Sequence, residues 1–159
     1  MKSLGLFLLV VSFLIPTFTR SDEMLLDIGL GSLDTSSSMK FLSLGIQEDL
    51  WGPLKERVSC GGWVDNSAGA SSSGFFSGQL GFEIDSGGLT GDAFFGPGSI
   101  TQTDALLGGY FQFESSLELT FHDINRNGMG VFFRHFSSAG FEMPNQGRDV
   151  LGLELKFPF

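Results

Sequence analysis

From residue 111 to residue 121 the chain alternates almost without interruption. Phe111, Phe113, Leu117, Leu119 and Phe121 fall on odd positions, and Gln112, Glu114, Ser116, Glu118 and Thr120 on even ones. A strand sends successive side chains to opposite sides, so this pattern predicts a strand with two chemically different faces. The same pattern closes the sequence, where Leu151, Leu153, Leu155, Phe157 and Phe159 alternate with Gly152, Glu154, Lys156 and Pro158. Weaker versions run through Met24–Leu30, Leu42–Ile46, Leu54–Val64 and Leu80–Ile84. Clusters of Gly, Asn, Asp and Ser at 34–38, 51–53, 65–67, 86–88 and 125–128 supply the chain reversals between them. The spacing predicts eight strands, at about 24–33, 39–48, 54–65, 74–85, 89–100, 109–122, 127–138 and 149–159. The fifth is the least regular, because Phe94, Phe95 and Pro97 break its alternation. No stretch after residue 21 holds a helical period.

The first 21 residues have a different character. Lys2 precedes an apolar run from Leu4 to Pro16, about a dozen residues long and short of the ~20 that a spanning helix requires. Thr19 and Ser21 are small residues placed for cleavage, so 1–21 is expected to be a signal peptide and 22–159 the exported domain. An even number of strands with short connections predicts an all-β fold, an eight-stranded antiparallel up-and-down barrel. Alternation alone does not say which face is inside. A soluble sandwich or lipocalin-like binder buries Phe111, Leu117 and Phe157; a membrane barrel turns them to lipid. Export, an aromatic residue ending the last alternating strand, and opposite charges on the polar faces favour the transmembrane form. Lys55, Arg57, Glu114, Glu118, Arg134, Glu154 and Lys156 are then expected to fill the lumen. Eight strands leave room for packed side chains but not for a diffusion channel.

Composition narrows the chemistry. Nine Lys and Arg stand against eighteen Asp and Glu, a net charge of -9 that argues against nucleic acid as a partner. The single cysteine, Cys60, rules out an internal disulfide, and no Cys/His cluster has zinc spacing, so neither a disulfide scaffold nor a zinc module is available. Asp123, Asn125, Asn127 and Gly128 copy the start of a calcium loop, but Arg134 occupies the position that requires a bidentate Glu, so the segment reads as a hairpin turn.

The segment from Arg134 to Asp149 carries more. His135 and Ser137, two apart on a strand, project from one face, which sets a base beside a hydroxyl. A serine becomes a nucleophile when an imidazole takes its proton, and the imidazole in turn needs a carboxylate to fix its tautomer. Asp149 opens the next, antiparallel strand and is the candidate carboxylate. Parity places all three on the outward, apolar side, a costly position for polar groups near mid-bilayer but a sensible one at the rim if the substrate is a lipid.

His135-Phe-Ser137-Ser-Ala-Gly140, followed by Pro144-Asn145-x-Gly147 and a carboxylate two residues on, resembles the C-terminal signature of the lipid A 3-O-deacylase family of outer-membrane enzymes. The resemblance is close over 135–149 and fair over 109–159. It implies an esterase that removes the 3-position acyl chain of lipid A in lipopolysaccharide with no metal or organic cofactor. In that reading Ser137 is nucleophile, His135 general base and Asp149 orienting acid, with Ser138 and Gly140 supporting the oxyanion. Two positions depart from the family pattern: Asp149 stands where Glu is usual, and Ser138 where Asn is usual. Phe136 and Phe141 are expected either to contact the acyl chain or to anchor the barrel at the membrane interface. The expected location is the outer membrane of a Gram-negative bacterium. The competing reading is a non-enzymatic small barrel for structure, adhesion or cation binding, in which His135, Ser137 and Asp149 lie scattered.

Overall fold

The computed structural model describes residues 22–31, 39–65, 71–104 and 106–159. The expected signal segment, the tail of the first predicted strand and the reversal at 34–38 lie outside them. Eight strands run in order: β1 Glu23–Gly31, β2 Lys40–Trp51, β3 Leu54–Val64, β4 Ser73–Asp85, β5 Leu89–Ile100, β6 Phe111–His122, β7 Gly128–Ser137 and β8 Arg148–Pro158. Each pairs antiparallel with the next, and β1 closes on β8 from Glu23 opposite Pro158 to Gly31 opposite Val150, so the sheet is a closed barrel without edges. Most strands are ten residues or longer, the span needed to cross hydrocarbon at a tilt. Pro97 lies within β5, where the β4–β5 pairing skips Gly96 and Pro97. A proline has no N–H to offer the ladder, yet β5 continues through it.

The face question is settled by burial. Leu42, Leu117 and Leu153 are each more than half exposed, whereas Arg57, Arg134, Glu154 and Lys156 are completely buried. Water on that outer surface would meet an apolar belt far beyond what a soluble monomer tolerates, so the belt faces lipid. This excludes the sandwich and lipocalin alternatives.

The interior has two tiers. Toward the chain termini it is ionic. Arg57 forks onto Glu118, reaches Gln47 Oε1 at 2.6 Å and lies 3.9 Å over the Phe94 ring. Arg134 holds Asp27 at 2.5 Å and Glu114 at 3.0 Å, and Lys156 holds Asp92 at 2.7 Å. A buried charge is tolerable only when paired in this way. All seven lumen residues expected from the sequence are there. Toward the opposite end the filling turns apolar: Phe41, Trp63, Phe75, Phe132 and Phe136 pack with Met39, Leu107 and Val150. Trp63 and Phe136 ring centres are 5.4 Å apart, and those of Phe75 and Phe136 5.1 Å.

The connections differ between the two ends. Those at the terminus-bearing end are tight, such as the β6–β7 turn, where Asp123 accepts the N–H groups of Asn125 and Asn127 at 2.8 and 2.9 Å. Its carboxylate is spent on the turn, as an Asx-type reversal requires. The connections at the other end are longer, and the site lies beneath them.

Candidate active site

β7 and β8 run side by side with His135 directly opposite Asp149. Opposed Cβ atoms in an antiparallel pair lie about 4.5–5.5 Å apart, so an aspartate is long enough: His135 Nδ1 and Asp149 Oδ1 are 2.7 Å apart. Both side chains are 38% exposed on the outer wall. Ser137 follows on the same face, at the end of β7, with Phe113 of β6 as its cross-strand neighbour. Among the described residues no hydrogen bond joins Ser137 to the imidazole; catalytic contacts of this kind commonly tighten only when substrate is bound. The structure thus brings together His135 and Asp149 and places Ser137 beside them.

The turn after Ser137 is built by local chemistry. Ala139 and Gly140 both adopt positive φ, 51° and 83°, and the Phe141 N–H returns to the Ser138 carbonyl at 3.0 Å. Ser138 is buried, with its N–H donating to Asn145 Oδ1 at 2.8 Å and its hydroxyl to the Glu142 carbonyl at 2.9 Å. Gly140 is exposed at the turn tip. Phe136 points inward and is 2% exposed in the aromatic plug, which corrects the expectation that it touches an acyl chain or the membrane interface. Alternation explains this: its neighbours His135 and Ser137 take the outer face. Phe141 is 74% exposed, its ring 6.1 Å from that of Phe113.

Three features escaped sequence reasoning. Gly147 has φ 79°, and a Cβ built on it would lie 2.4 Å from His135 Cε1 and 3.1 Å from Nε2. Only glycine lets that backbone close on the ring. Its place in the family-like motif was the available signal. Ser115 of β6 is opposite His135 on the side away from Asp149. It opens an apolar groove of about 560 Å³ on the outer wall, lined by Leu80, Ala93, Phe95, Leu117 and Phe133. Lastly, Asp104 lies in the β5–β6 loop. Burial by itself raises its carboxyl pKa, but the N–H groups of Leu107, Leu106 and Ser71 and the charge of Arg148 outweigh burial and hold it below the usual aspartate value.

A family model described as lipid A 3-O-deacylase (PagL) matches residues 35–158. The chain belongs to that family. It is therefore an ester hydrolase of the lipid A 3-O-deacylase kind, placed in the Gram-negative outer membrane. Among solved structures, the crystal structure of the outer membrane enzyme PagL superposes with a TM-score of 0.67 at 21% identity, covering 86% of this chain and 99% of that one. A de novo designed transmembrane β-barrel gives 0.55 at 13% identity, covering 90% and 100%. At such identities these two likenesses speak for the fold. No curated protein sequence matches the chain.

Proposed function

We propose that this deacylase cleaves the 3-position ester of lipid A through Ser137, His135 and Asp149. The observation that carries the reading is the His135–Asp149 pair on the lipid-facing wall, next to a serine on the same face and continuous with an apolar groove. The site lies at the end with the longer connections, which in outer-membrane barrels is the extracellular one, so it opens onto the outer leaflet. The groove, running from Ser115 toward mid-barrel, suits an acyl chain lying along the wall, while Phe113, the cross-strand neighbour of Ser137, packs against Phe141.

In the mechanism, Nδ1–H of His135 donates to Asp149, which leaves Nε2 free to accept the Ser137 proton as Oγ attacks the ester carbonyl. The tetrahedral intermediate collapses, and the departing sugar oxygen takes that proton from His135. The acyl chain is now esterified to Ser137. Water then attacks, giving its proton to His135; the fatty acid leaves and Ser137 recovers its hydrogen. Both donors of Ser138 are already engaged, so oxyanion support from this residue requires its N–H to leave Asn145 or its hydroxyl to leave Glu142 as substrate arrives. The exposed Gly140 amide is the second candidate donor.

The test is to incubate purified protein with lipopolysaccharide and identify by mass spectrometry which acyl chain is released. Ser137→Ala and His135→Asn are each expected to abolish release of the 3-position hydroxy fatty acid while the barrel still folds. Release at the unmutated rate from either variant refutes these roles.

A further inference from the structure

Arg148 and Asp149 are neighbours on β8, pointing to opposite sides of the wall. Asp149 faces His135 outside; Arg148 is buried inside, opposite Phe136. Its Nη1 donates to Asp65 at 2.6 Å and its Nη2 to Asp104 at 2.5 Å, while the guanidinium carbon lies 5.3 Å from the Trp63 ring centre. Asp65 follows β3, and Asp104 belongs to the β5–β6 loop. Asp104 also accepts the N–H groups of Leu106 at 2.8 Å and Leu107 at 2.9 Å, which shapes that loop. The loop in turn pairs with the β7–β8 loop. Gly108 N–H donates to the Pro144 carbonyl at 2.7 Å, Gln146 N–H to the Leu106 carbonyl at 3.1 Å, and Leu107 bridges Asn145. The next residue along is Gly147, whose backbone lies on the Cε1–Nε2 edge of His135. A series of polar contacts therefore runs from a guanidinium inside the barrel to the β7–β8 loop, whose Gly147 packs against the imidazole outside it.

We propose that the Asp65–Arg148–Asp104 clamp is a positioning device for the catalytic imidazole. It locks the β5–β6 loop against the β7–β8 loop, so that Gly147 closes on one edge of the ring while Asp149 holds the other. A guanidinium is well matched to this role, because its planar fork serves two carboxylates on different loops at once, which an ammonium does with far less directional control. Arg148 and Asp104 touch no reacting atom and act through Gly147 and His135. The proposal rests on the Ser137–His135–Asp149 reading above.

The experiment uses the full chain in detergent with lipopolysaccharide as substrate. It measures kcat and KM for fatty-acid release, with the folded barrel scored by gel mobility of unboiled samples. Displacing a catalytic group by about 1 Å can cost ~10²-fold in rate. Arg148→Met is expected to lower kcat by about that factor, and Asp104→Asn by a smaller one of about tenfold, with KM within about twofold and the barrel folded. Combining Arg148→Met with Asp149→Asn is expected to lose much less than the product of the single losses, since a misplaced imidazole has little left for Asp149 to orient. A clamp that served only general stability gives losses that multiply, and that result overturns the proposal. So does a folded Arg148→Met enzyme with kcat within threefold of the parent. If Arg148→Met does not reach the folded band, Asp104→Asn with Asp149→Asn carries the same cycle under the same criteria. Activity surviving in Ser137→Ala means that the underlying reading has failed. An inactive Ser137→Ala beside clamp variants of parental activity means that the clamp alone has.

Discussion

Asp149→Asn isolates the charge of the proposed orienting acid while keeping its shape. In the parent the carboxylate is 2.7 Å from His135 Nδ1, so in the proposed mechanism, in which His135 takes the Ser137 proton, a positive ring forms about 4 Å from a negative group. At the effective dielectric of a partly buried site, near 20, such a pair is worth about 4 kcal/mol; in bulk water it is worth only about 1. Each side chain is 38% exposed, but the surface around them faces lipid rather than water, so the interaction belongs in the upper half of that range. Between about 2 and 4 kcal/mol corresponds to a loss of ~30-fold to ~10³-fold in kcat, and an amide that donates its own hydrogen to Nδ1 adds the cost of the wrong tautomer. KM is expected to stay within about twofold, because the charge is needed only in the transition state. The assay is fatty-acid release from lipopolysaccharide under saturating substrate. A folded Asp149→Asn enzyme that loses less than about fivefold in kcat refutes this electrostatic role, since that is what a fully water-screened pair would give. Asp149→Glu, which restores the family's usual acid, is expected to remain within about tenfold of the parent, its extra methylene taken up by a rotamer change.

Other outcomes follow from the groove, the lumen and the clamp. Ala93→Phe fills the groove: in a series of synthetic esters the parent is expected to gain up to ~4-fold in kcat/KM per methylene, about 0.8 kcal/mol each, and the variant to lose that slope. Arg134→Met leaves Asp27 and Glu114 buried without their cation, and thermal or urea unfolding in vesicles is expected to show a loss of about 3–5 kcal/mol. For the clamp, a carboxyl held below its ordinary value stabilises the folded form at pH above about 3.9 and loses that contribution as pH falls further, through its lowered value. In a Trp51→Phe background Trp63, which lies against Arg148, is the remaining tryptophan. Its emission is expected to hold steady from pH 7 to pH 5 and to change only below about pH 4; a shift near pH 6 rules out Asp104 as the group responsible.

Much of the fold was legible because a membrane barrel repeats one simple rule. Leu117 and Leu153 had to share a face with Phe121 and Leu155, and the polar face had to hold Glu118 and Glu154. The aromatic tier was not legible, because Phe132 and Phe136 sit inside β7 while Val131 and Phe133 sit outside it, and a strand apolar on both faces has no period to read. Phe136 was misplaced for a different reason: the parity that puts His135 and Ser137 outside already turns it inward, and its position near the rim was weighed instead. In the site, pairing of neighbouring antiparallel strands put His135 opposite Asp149, a local matter that spacing can express. The roles of Arg148 and Asp104 depend on a meeting of residues 65, 104 and 148, which only the closed barrel brings about. Ser138 was read by residue type, whereas its donors are claimed by the geometry of a turn that sequence spacing does not specify.

Because the proposed reactive pair looks sideways from the wall, a lipid substrate of that site need never enter water or cross the barrel; it would arrive by lateral diffusion within its own leaflet. Turnover is then governed by how crowded the leaflet is with cleavable lipid, a mole fraction, and diluting the membrane with inert lipid slows the enzyme even when the amount of substrate per litre is unchanged.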